Sequence, residues 1–379
     1  MTVAAFMDLA LYDPRFGYYA RAARRSGRAG DFFTSVDVGP IFGELLEIQI
    51  AEMFGILQPS AISHQPSAIP LPLDLVEAGA GNGRLSADIL RAARDRDPAV
   101  YDAIRLHLVE TSADARNDQH ATLGDVSDRL ASSGATLPSS FEGVLVANEL
   151  LDAMPVHQVV MREDGLREVY VVGGAESPAP QLSGAGFSGP RGLHTIEGPL
   201  STPRLAEYLD ALGVELLPGW RFEINLQAVD WIRDAARRLR RGFIILIDYG
   251  HEARELYSPS HSAGTLTTFN RHHAAGSEST SPAWLQNPGR QDITAHVDFT
   301  SVRAAAEAEG MHTIAFLDQT YFLMGLLTHL DSPQSAIRNP QLKTLLMPGG
   351  LGSTHKVMIF GKGVGTPALR CCSFGTRVT

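Results

Sequence analysis

The chain has 379 residues, of which 44% are hydrophobic and 20% are charged, which is the composition of an ordinary globular protein. That length suits either one large domain with insertions or two domains. The formal net charge is −10 at pH 7, so the composition gives no support for general binding to DNA, RNA or another polyanion.

We expect a chain that neither enters a membrane nor carries a disulfide framework. The two cysteines, Cys371 and Cys372, are adjacent and lack the spacing of a metal-ligand set. The N-terminal residues have neither the basic and apolar regions of a secretory signal nor the arginines of a transit peptide. No apolar run reaches the roughly 18 residues that a membrane-spanning helix needs. These observations predict a cytoplasmic location.

Residues 1–72 are predicted to form a helical cap followed by a loop. Apolar residues over 3–12 favour a short helix that ends before Pro14. A second helix is indicated after Pro40, where apolar residues recur at helical spacing. The stretch 58–72 contains the pentapeptide QPSAI twice and is typical of a surface loop.

Strand and helix patterns alternate between residues 73 and 148. An apolar run from Leu73 ends at Glu77, and glycines and then a helical pattern over 84–96 follow it. A strand over 105–109, a helix over 112–123 and a strand over 143–148 come next. This alternation with short links predicts an α/β fold with a doubly wound, mostly parallel sheet.

The pattern changes after residue 156, and we predict two insertions within the same domain, at about 156–220 and 251–297. The first insertion begins with a hairpin that turns at Asp164–Gly165. Between the insertions, a helix is predicted over 221–240 and an apolar strand over 242–250, which is typical of burial on both faces. The last predicted elements are a helix over 299–310, strands over 312–319 and 355–363 that flank a helix near 320–330, and a frayed tail over 363–379.

Glu77, Gly79, Gly81 and Gly83 lie where the first predicted strand turns into a helix. Glycine tolerates positive φ and, having no Cβ, lets a ligand approach the backbone. Arg84 stands where a dinucleotide fingerprint has glycine, which disfavours an NAD oxidoreductase. A carboxylate beside the turn would repel a pyrophosphate but suits a cation. Alternate glycines after an acidic residue are therefore typical of S-adenosylmethionine (SAM) binding, and a purely structural turn is the alternative.

Glu110 ends the next predicted strand, 27 residues after Gly83. This is near the offset at which an acidic side chain accepts the hydroxyls of a ribose, and two carboxylate oxygens match two vicinal hydroxyls. Glu110 is therefore predicted to bind the cofactor. The alternative is a solvated residue at the end of a strand.

Asn148, Glu149 and Asp152 follow the third strand, where the carboxyl ends of strands form the ligand crevice of an open α/β sheet. We predict that they lie at the site of the methyl acceptor, although Asn148 could instead cap a helix and Asp152 could lie on the surface. Asp248 and His251 follow the apolar strand in the same way, and His251 could act as a base or have only a structural role. The histidines show no metal-binding spacing, so no metal site is predicted.

Sequence blocks along residues 6–362 resemble the MidA-like methyltransferases, the family of a mitochondrial complex I assembly factor that methylates an arginine of a respiratory-chain subunit. The blocks occur in the family's order: GDFFTS, IFGELL, VEAGAGNGRLSADIL, LHLVETS, NELLDAMPVHQ, IDYGH, NPGRQDITAHVDF and Gln319–Gly325. The sequence departs from the family at VDV after Ser35, where a Pro-Glu pair is more usual, and at Asn82, where the family often has Arg.

The resemblance implies a class I SAM-dependent methyltransferase domain over 73–362, with a seven-stranded Rossmann-like sheet between the cap 1–72 and the tail 363–379. Thr34 and Ser35 match a family loop that closes over the cofactor. The side chains and glycines assigned to the cofactor are then Thr34, Ser35, Glu77, Gly79, Gly81, Gly83 and Glu110, and those assigned to the acceptor site are Asn148, Glu149 and Asp152.

We therefore expect methyl transfer from SAM to an arginine guanidinium of a partner protein, with a respiratory-chain subunit as one candidate. An in-line displacement from a sulfonium needs positioning and exclusion of water rather than a metal. Glu149, helped by Asp152, would orient the fork-shaped guanidinium cation. The alternative is a non-catalytic assembly factor that binds SAM and a partner subunit. The sequence does not predict the oligomeric state.

Overall fold

The structure is a computed structural model that describes residues 1–22, 34–58, 71–173, 192–270, 273–274, 282–330, 339–347 and 351–374. No helix within these ranges is long and apolar enough to cross a bilayer. Residues 59–70 of the predicted QPSAI loop, and residues 174–191 of the first predicted insertion, lie outside the described residues.

Helices and strands alternate along the chain much as the sequence pattern predicts. The helices are α1 Val3–Tyr12, α2 Tyr18–Ala22, α3 Ser35–Val38, α4 Ile41–Leu57, α5 Arg84–Arg96, α6 Pro98–Ala103, α7 Ala113–Leu123, α8 Arg204–Leu212, α9 Leu226–Arg238, α10 Ala253–Leu256, α11 Phe299–Ala308, α12 Gln319–Leu327, α13 Pro340–Leu346 and α14 Leu351–Thr354. The strands are β1 Leu73–Ala78, β2 Ile104–Val109, β3 Leu130–Gly134, β4 Phe141–Asn148, β5 His157–Arg162, β6 Gly165–Gly173, β7 Leu193–Gly198, β8 Arg221–Ile224, β9 Leu239–His251, β10 Thr267–Asn270, β11 His273–Ala274, β12 Asp292–Thr294, β13 Val297–Asp298, β14 His312–Asp318 and β15 His355–Lys362.

The main sheet has the strand order β14-β15-β9-β4-β1-β2-β3, and the short β13 pairs with the end of β9. Strands β9, β4, β1, β2 and β3 are parallel to their neighbours in that order, whereas β15 and β14 add an antiparallel edge. The predicted α/β class and mostly parallel, seven-stranded sheet are confirmed. The chain leaves β1 toward β2 on one side and returns to β4 on the other. Such a reversal of strand order is where open α/β sheets bind ligands.

Helices cover both faces of the main sheet. On one face, α4, α5 and α12 share an apolar cluster with Val144 and Ile245. On the other face, α8, α9 and α11 share a cluster with the next residues of the same strands, Leu145 and Ile244. Successive strand residues point to opposite faces, so β4 and β9 are buried on both sides, as their unbroken apolar runs predict. Helix α4, expected within the N-terminal cap, packs directly against the sheet.

A second, antiparallel sheet has the order β7-β6-β5-β8. It contains the predicted hairpin, in which Arg162 pairs with Gly165. Helix α1 packs on this sheet, where Val3 and Met7 share an apolar cluster with Val160. A third sheet has the order β11-β10-β12. The two insertions therefore contain β structure that lies against the N-terminal helix.

The predicted helix over 221–240 is wrong at its start and end. Residues 221–224 form β8, which pairs with β5, and α9 begins only at Leu226. The side chain of Asn225 accepts the backbone N–H of Ala228 at 2.8 Å, and this cap sets the start of the helix. Helix α9 ends at Arg238, and β9 starts at Leu239 instead of 242. Phe222 and Ile224 are two positions apart, which is the period of a strand, but this short signal was merged with the longer helical pattern that follows it.

The prediction of a frayed tail is wrong for the segment around Cys371. Residues 370–372 form a 3-10 turn in which Cys371 is fully buried. The preceding residue, Leu369, is 4% exposed. The backbone N–H of Cys371 donates to the side-chain oxygen of Gln49 at 3.2 Å, and that of Arg370 donates to Glu52 at 2.9 Å. Helix α4 therefore holds the C-terminal segment through partners more than 300 positions away, which no local pattern indicates.

Replacing Gly242 with alanine is expected to destabilise the main sheet. Gly242 has φ +140°, and an added Cβ would lie 1.9 Å from the carbonyl oxygen of Gly143 on the neighbouring strand. We expect Gly242→Ala to lower the free energy of unfolding by at least about 2 kcal/mol in urea denaturation. Gly55→Ala is the control, because Gly55 is exposed on α4 with open space around it, and alanine favours a helix by about 1 kcal/mol. Equal stability of Gly242→Ala and the unchanged chain would contradict the pairing of β4 with β9.

Candidate active site at the carboxyl ends of the parallel strands

The turn between β1 and α5 places three glycines in left-handed backbone conformations. Gly79, Gly81 and Gly83 have φ values of 73°, 51° and 83°, which residues with a Cβ rarely adopt. A Cβ on Gly79 would approach the Leu150 side chain to 3.1 Å, so this turn contacts the segment that follows β4. A Cβ on Gly81 would meet no atom of the described residues within 4 Å. The backbone of Gly81 is therefore open to a ligand.

Two side chains fix the peptide groups of Gly81. Glu110, at the end of β2, accepts the backbone N–H of Gly81 at 2.9 Å and that of Ser112 at 2.7 Å. Gln119 is fully buried and donates to the carbonyl of Gly81 at 2.8 Å, while the Ser133 hydroxyl donates to Gln119 at 2.6 Å. Each carboxylate oxygen has two lone pairs, so Glu110 keeps acceptor capacity for ribose hydroxyls. No sequence motif marks Gln119.

The observed contact of Glu77 is with helix α5. Its carboxylate is 6% exposed and accepts both the backbone N–H of Ser86, at 3.2 Å, and the Ser86 hydroxyl. Ser86 lies in the first turn of α5, where backbone N–H groups lack helical partners. Burial raises the pKa of Glu77 to about 7, although both hydrogen bonds from Ser86 oppose the shift. A direct contact between Glu77 and a cofactor stays a prediction.

Thr34 and Ser35 begin the short helix α3. Thr34 and Asp37 form a reciprocal capping box, with side chain to backbone distances of 3.3 and 3.2 Å. Ser35 is fully buried; its backbone N–H donates to Glu149 Oε1 at 3.1 Å, and its hydroxyl donates to Gln319 Oε1 at 3.2 Å. The structure thus brings Ser35 against a predicted acceptor-site residue, whereas the resemblance assigned Ser35 to the cofactor.

Glu149 is held in a strained conformation directly after β4. Its φ is +49°, a left-handed value that costs a residue with a Cβ about 1 kcal/mol or more. The backbone N–H of Glu149 donates to the carbonyl of Ile247 at 2.8 Å, and the Asn148 side-chain amide donates to Glu149 Oε1 at 3.1 Å. Strain of this kind persists where surrounding contacts impose it, and it is common at functional sites.

Asp248 fixes the turn that follows Glu149. It is 1% exposed, and its Oδ2 accepts the backbone N–H groups of Leu150, Leu151 and Asp152 at 3.2, 2.8 and 3.4 Å. Its Oδ1 accepts the backbone N–H of Tyr249 at 2.9 Å. Asp248 therefore lies at the predicted strand end, where it positions the backbone of the acceptor-site residues.

Asp152 is a buried carboxyl that contacts the Tyr249 hydroxyl. Burial raises the pKa of Asp152, and the carboxylates of Asp292 and Glu149 raise it further. Burial also raises the pKa of Asp248, but the backbone N–H donors to Asp248 stabilise its charged form. Burial and mutual repulsion thus raise the pKa of both carboxyl groups, which titrate as a coupled pair.

Tyr12, Tyr19 and Asp292 lie near Asp152. No sequence motif marks these three residues. The Tyr19 hydroxyl donates to Asp292 Oδ1 at 2.9 Å, and the Tyr12 hydroxyl donates to the carbonyl of Ala153 at 3.0 Å. Burial and the charge of Asp292 raise the pKa of both tyrosines well above its usual value. Both hydroxyls thus stay protonated near neutral pH. Tyr12 and Asp152 lie 140 positions apart, so only the fold brings them together.

Four buried polar atoms around Glu149 have no hydrogen-bond partner among the described residues. They are Asn148 Oδ1, Asp152 Oδ1, Gln319 Nε2 and His355 Nε2. Most buried polar atoms in proteins are hydrogen-bonded, so this group is suited to a ligand with both donors and acceptors. His355 Nε2 lies 3.8 Å from Glu149 Oε1. Burial acts to lower the pKa of His355, but Glu149 outweighs burial and raises it.

Sequence comparison connects this site to known proteins. A model of the family described as "Putative S-adenosyl-L-methionine-dependent methyltransferase" matches residues 45–317. The chain belongs to this methyltransferase family. The predictions of a SAM-dependent methyltransferase and of SAM as its cofactor are thereby confirmed.

Solved structures agree with this assignment. A protein from Burkholderia thailandensis, described as a methyl transferase and bound to S-adenosyl-homocysteine, is 28% identical to this chain, with a TM-score of 0.80. The match covers 100% of this chain and 91% of that one. A native structure of a protein from the same organism is 27% identical, with a TM-score of 0.77.

Curated relatives carry names that overturn one prediction. The mitochondrial protein arginine methyltransferase NDUFAF7 of Mus musculus is 28% identical to this chain, and the match covers 92% of this chain and 76% of the relative. The Homo sapiens protein of the same name is 29% identical, and the match covers 92% of this chain and 75% of the relative. The Drosophila melanogaster homolog, also named mitochondrial, is 27% identical over 96% of this chain and 82% of its own length. The predicted cytoplasmic location is therefore wrong. It depended on the composition of the N-terminal residues, which does not fix a compartment.

The Glu77→Gln variant is expected to change how stability depends on pH. Between about pH 4.5 and 7, folded Glu77 holds a proton that the unfolded chain has released, so this group lowers the free energy of unfolding as pH rises. Glutamine keeps an acceptor for Ser86 but does not titrate. Urea denaturation at pH 5, 6 and 7 should therefore show a smaller loss of stability in the variant than in the unchanged chain.

The control for this prediction is Glu163→Gln, which removes an exposed carboxyl in the turn of the β5–β6 hairpin. Its pH dependence should match that of the unchanged chain. If the stability of Glu77→Gln has the same pH dependence as that of the unchanged chain, Glu77 is charged in the folded state between about pH 4.5 and 7, which would contradict its raised pKa.

Proposed function

We propose that the chain transfers a methyl group from SAM to the guanidinium of an arginine in a partner protein. The observation that carries this proposal is the carboxylate of Glu149, held in a strained turn beside the glycine turn and near Asp152, whose pKa both Glu149 and Asp292 raise. The relatives named protein arginine methyltransferase support the same acceptor class. Their mitochondrial names favour a mitochondrial partner, and a respiratory-chain subunit is one candidate.

The cofactor half of the site consists of the glycine turn and Glu110. The open backbone at Gly81 leaves room for a ligand, and Glu110 at the end of β2 can accept two ribose hydroxyls. Gln119 holds Gly81 from the other side and so supports this half without a contact to the ligand. When bound, SAM supplies a methyl group on a sulfonium whose leaving group is a neutral thioether.

Glu149 would orient the acceptor. A planar guanidinium presents paired N–H donors that match a carboxylate, so Glu149 can fix one nitrogen in line with the methyl group. That nitrogen forms its bond to carbon as the carbon–sulfur bond breaks, and a nitrogen-bound proton must then leave. Asp152 is suited to accept this proton, because its raised pKa makes it a stronger base than an exposed carboxylate.

A non-catalytic assembly factor is not favoured. A protein that only bound a partner would have no need to bury the carboxyl groups of Asp152 and Asp292, since burying like charges close to one another is costly. The family assignment also favours catalysis.

Glu149→Gln should lower methyl transfer by about 100-fold or more, the cost of removing one charge-stabilising group. The assay uses labelled SAM and an extract of cells that lack the gene, with the labelled protein band quantified. Affinity for S-adenosyl-homocysteine, measured by calorimetry, should change less than about twofold, because Glu149 acts on the acceptor. Asp152→Asn should act in the same direction. Glu163→Gln, the exposed control, should match the unchanged chain.

Two results would contradict the role of Glu149. Near-full transfer by Glu149→Gln would remove it from the acceptor site. A large loss of cofactor affinity in that variant would instead place it on the cofactor.

Glu110→Ala tests the cofactor half separately. We expect the dissociation constant for S-adenosyl-homocysteine to rise by at least about tenfold, since two charge-assisted hydrogen bonds are lost. Asp114→Ala, an exposed change on the neighbouring helix α7, is the control. Because Glu110 also holds Gly81, thermal unfolding of the free variant must show that it is folded. Unchanged affinity in a folded Glu110→Ala protein would be incompatible with ribose binding by this residue.

A further inference from the structure

Three histidines from the second insertion form a compact cluster. The ring centre of His251 lies 4.9 Å from that of His261 and 5.2 Å from that of His296, and the last two rings are 5.8 Å apart. One ring nitrogen from each lies within 4.8 Å of the other two. His261 lies 10 positions after His251, and His296 lies 35 positions after His261, so no sequence motif marks this group.

The spacing of the three rings matches a tetrahedral metal site. In a zinc site, each imidazole ring centre lies about 3.15 Å from the ion, because the zinc–nitrogen bond is about 2.05 Å and the ring centre is about 1.1 Å beyond the nitrogen. Two rings separated by the tetrahedral angle then have centres about 5.2 Å apart. The three observed separations lie on either side of this value. The three nitrogens lie within 4.8 Å of one another, and binding of one ion would draw them closer by side-chain rotation.

Glu255 provides the outer contacts that histidine ligands usually have. Its carbonyl oxygen lies 3.0 Å from Nδ1 of His261, and its carboxylate lies 3.0 Å from Nδ1 of His251, although without hydrogen-bond alignment. The hydrogen bond at Nδ1 of His261 leaves Nε2 of that ring available to a metal. Nδ1 of His296 is buried with no hydrogen-bond partner among the described residues.

The cluster joins three separate parts of the insertion. His251 ends β9, His261 lies in the 3-10 turn Pro259–His261, and His296 directly precedes β13, which pairs with the end of β9. All three side chains are partly exposed, so an ion can enter from solvent. The His296 ring also packs edge to face on Tyr249, whose hydroxyl contacts Asp152.

We propose that His251, His261 and His296 bind one divalent transition-metal ion, with zinc as the best match. Three neutral imidazoles and one or more waters are a common coordination set for zinc, and Glu255 adds a compensating negative charge. The ion would fasten the turn at 261 and the strand at 297 to the end of β9. Methyl transfer does not pass through this ion. Its effect on the reaction is to hold Tyr249, and through it Asp152, in place.

The test is zinc binding by the untagged, full-length chain after metal removal. Titration against a chromophoric zinc chelator should show one equivalent of zinc bound with a dissociation constant below about 1 µM. His261→Ala, at the most accessible of the three ligating elements, should weaken binding by at least about 100-fold, more than changes outside the ligand set usually do. His120→Ala, which removes an exposed histidine on α7, should leave binding unchanged.

Two further measurements keep the result interpretable. Cobalt in place of zinc should give the visible absorption of a tetrahedral nitrogen and oxygen site, without the thiolate charge-transfer band that Cys371 or Cys372 would produce. Thermal unfolding without metal should show that His261→Ala is folded, and His261→Asn provides a second variant. Substoichiometric zinc binding, equal binding by His261→Ala and His120→Ala, or a thiolate band would each overturn the proposal. The cluster would then be three stacked histidines only.

Discussion

The acceptor side of this active site depends on one buried carboxylate. Asp248 accepts the backbone N–H groups of three consecutive residues after Glu149, and this network holds the chain in a turn that Glu149 could not maintain alone at φ +49°. The same turn places Leu150 against Gly79, where any larger residue would collide with it. A contact between two strands of the main sheet therefore sets the distance between the cofactor turn and the acceptor carboxylates.

Methyl transfer to arginine brings two cations together, the sulfonium of SAM and the guanidinium of the acceptor. Their repulsion is strong in a crevice from which water is excluded. The carboxyl groups of Glu149, Asp152 and Asp292 offset this repulsion where the strand ends meet. Burial raises the pKa of Asp152, so the crevice can hold one proton in the absence of substrate and release it when a cation arrives. In the proposed reaction, the acidic crevice would both recognise the acceptor and accept its proton.

The features predicted from sequence are those with local causes. The glycine turn, helix α5 over 84–96 and the parallel strands follow from neighbouring residues, and Glu149 and Asp152 follow from their place at a strand end. What could not be predicted depends on contacts across the fold. Gln119 meets Gly81 across 38 positions, and Asp292 meets Tyr19 across 273. His296 meets His251 because β13 pairs with the end of β9. Such residues carry no local signal, since each lies in an ordinary helix, strand or loop.

The identity of the methylated atom tests the central claim most directly. After transfer from labelled SAM to protein in an extract of cells that lack the gene, tandem mass spectrometry of the labelled band locates the added methyl group. The account predicts that it lies on a guanidinium nitrogen of one arginine, because a carboxylate pair matches that cation. A methyl group on a lysine, a glutamine, a carboxylate or a hydroxyl would contradict the role given to Glu149 and Asp152.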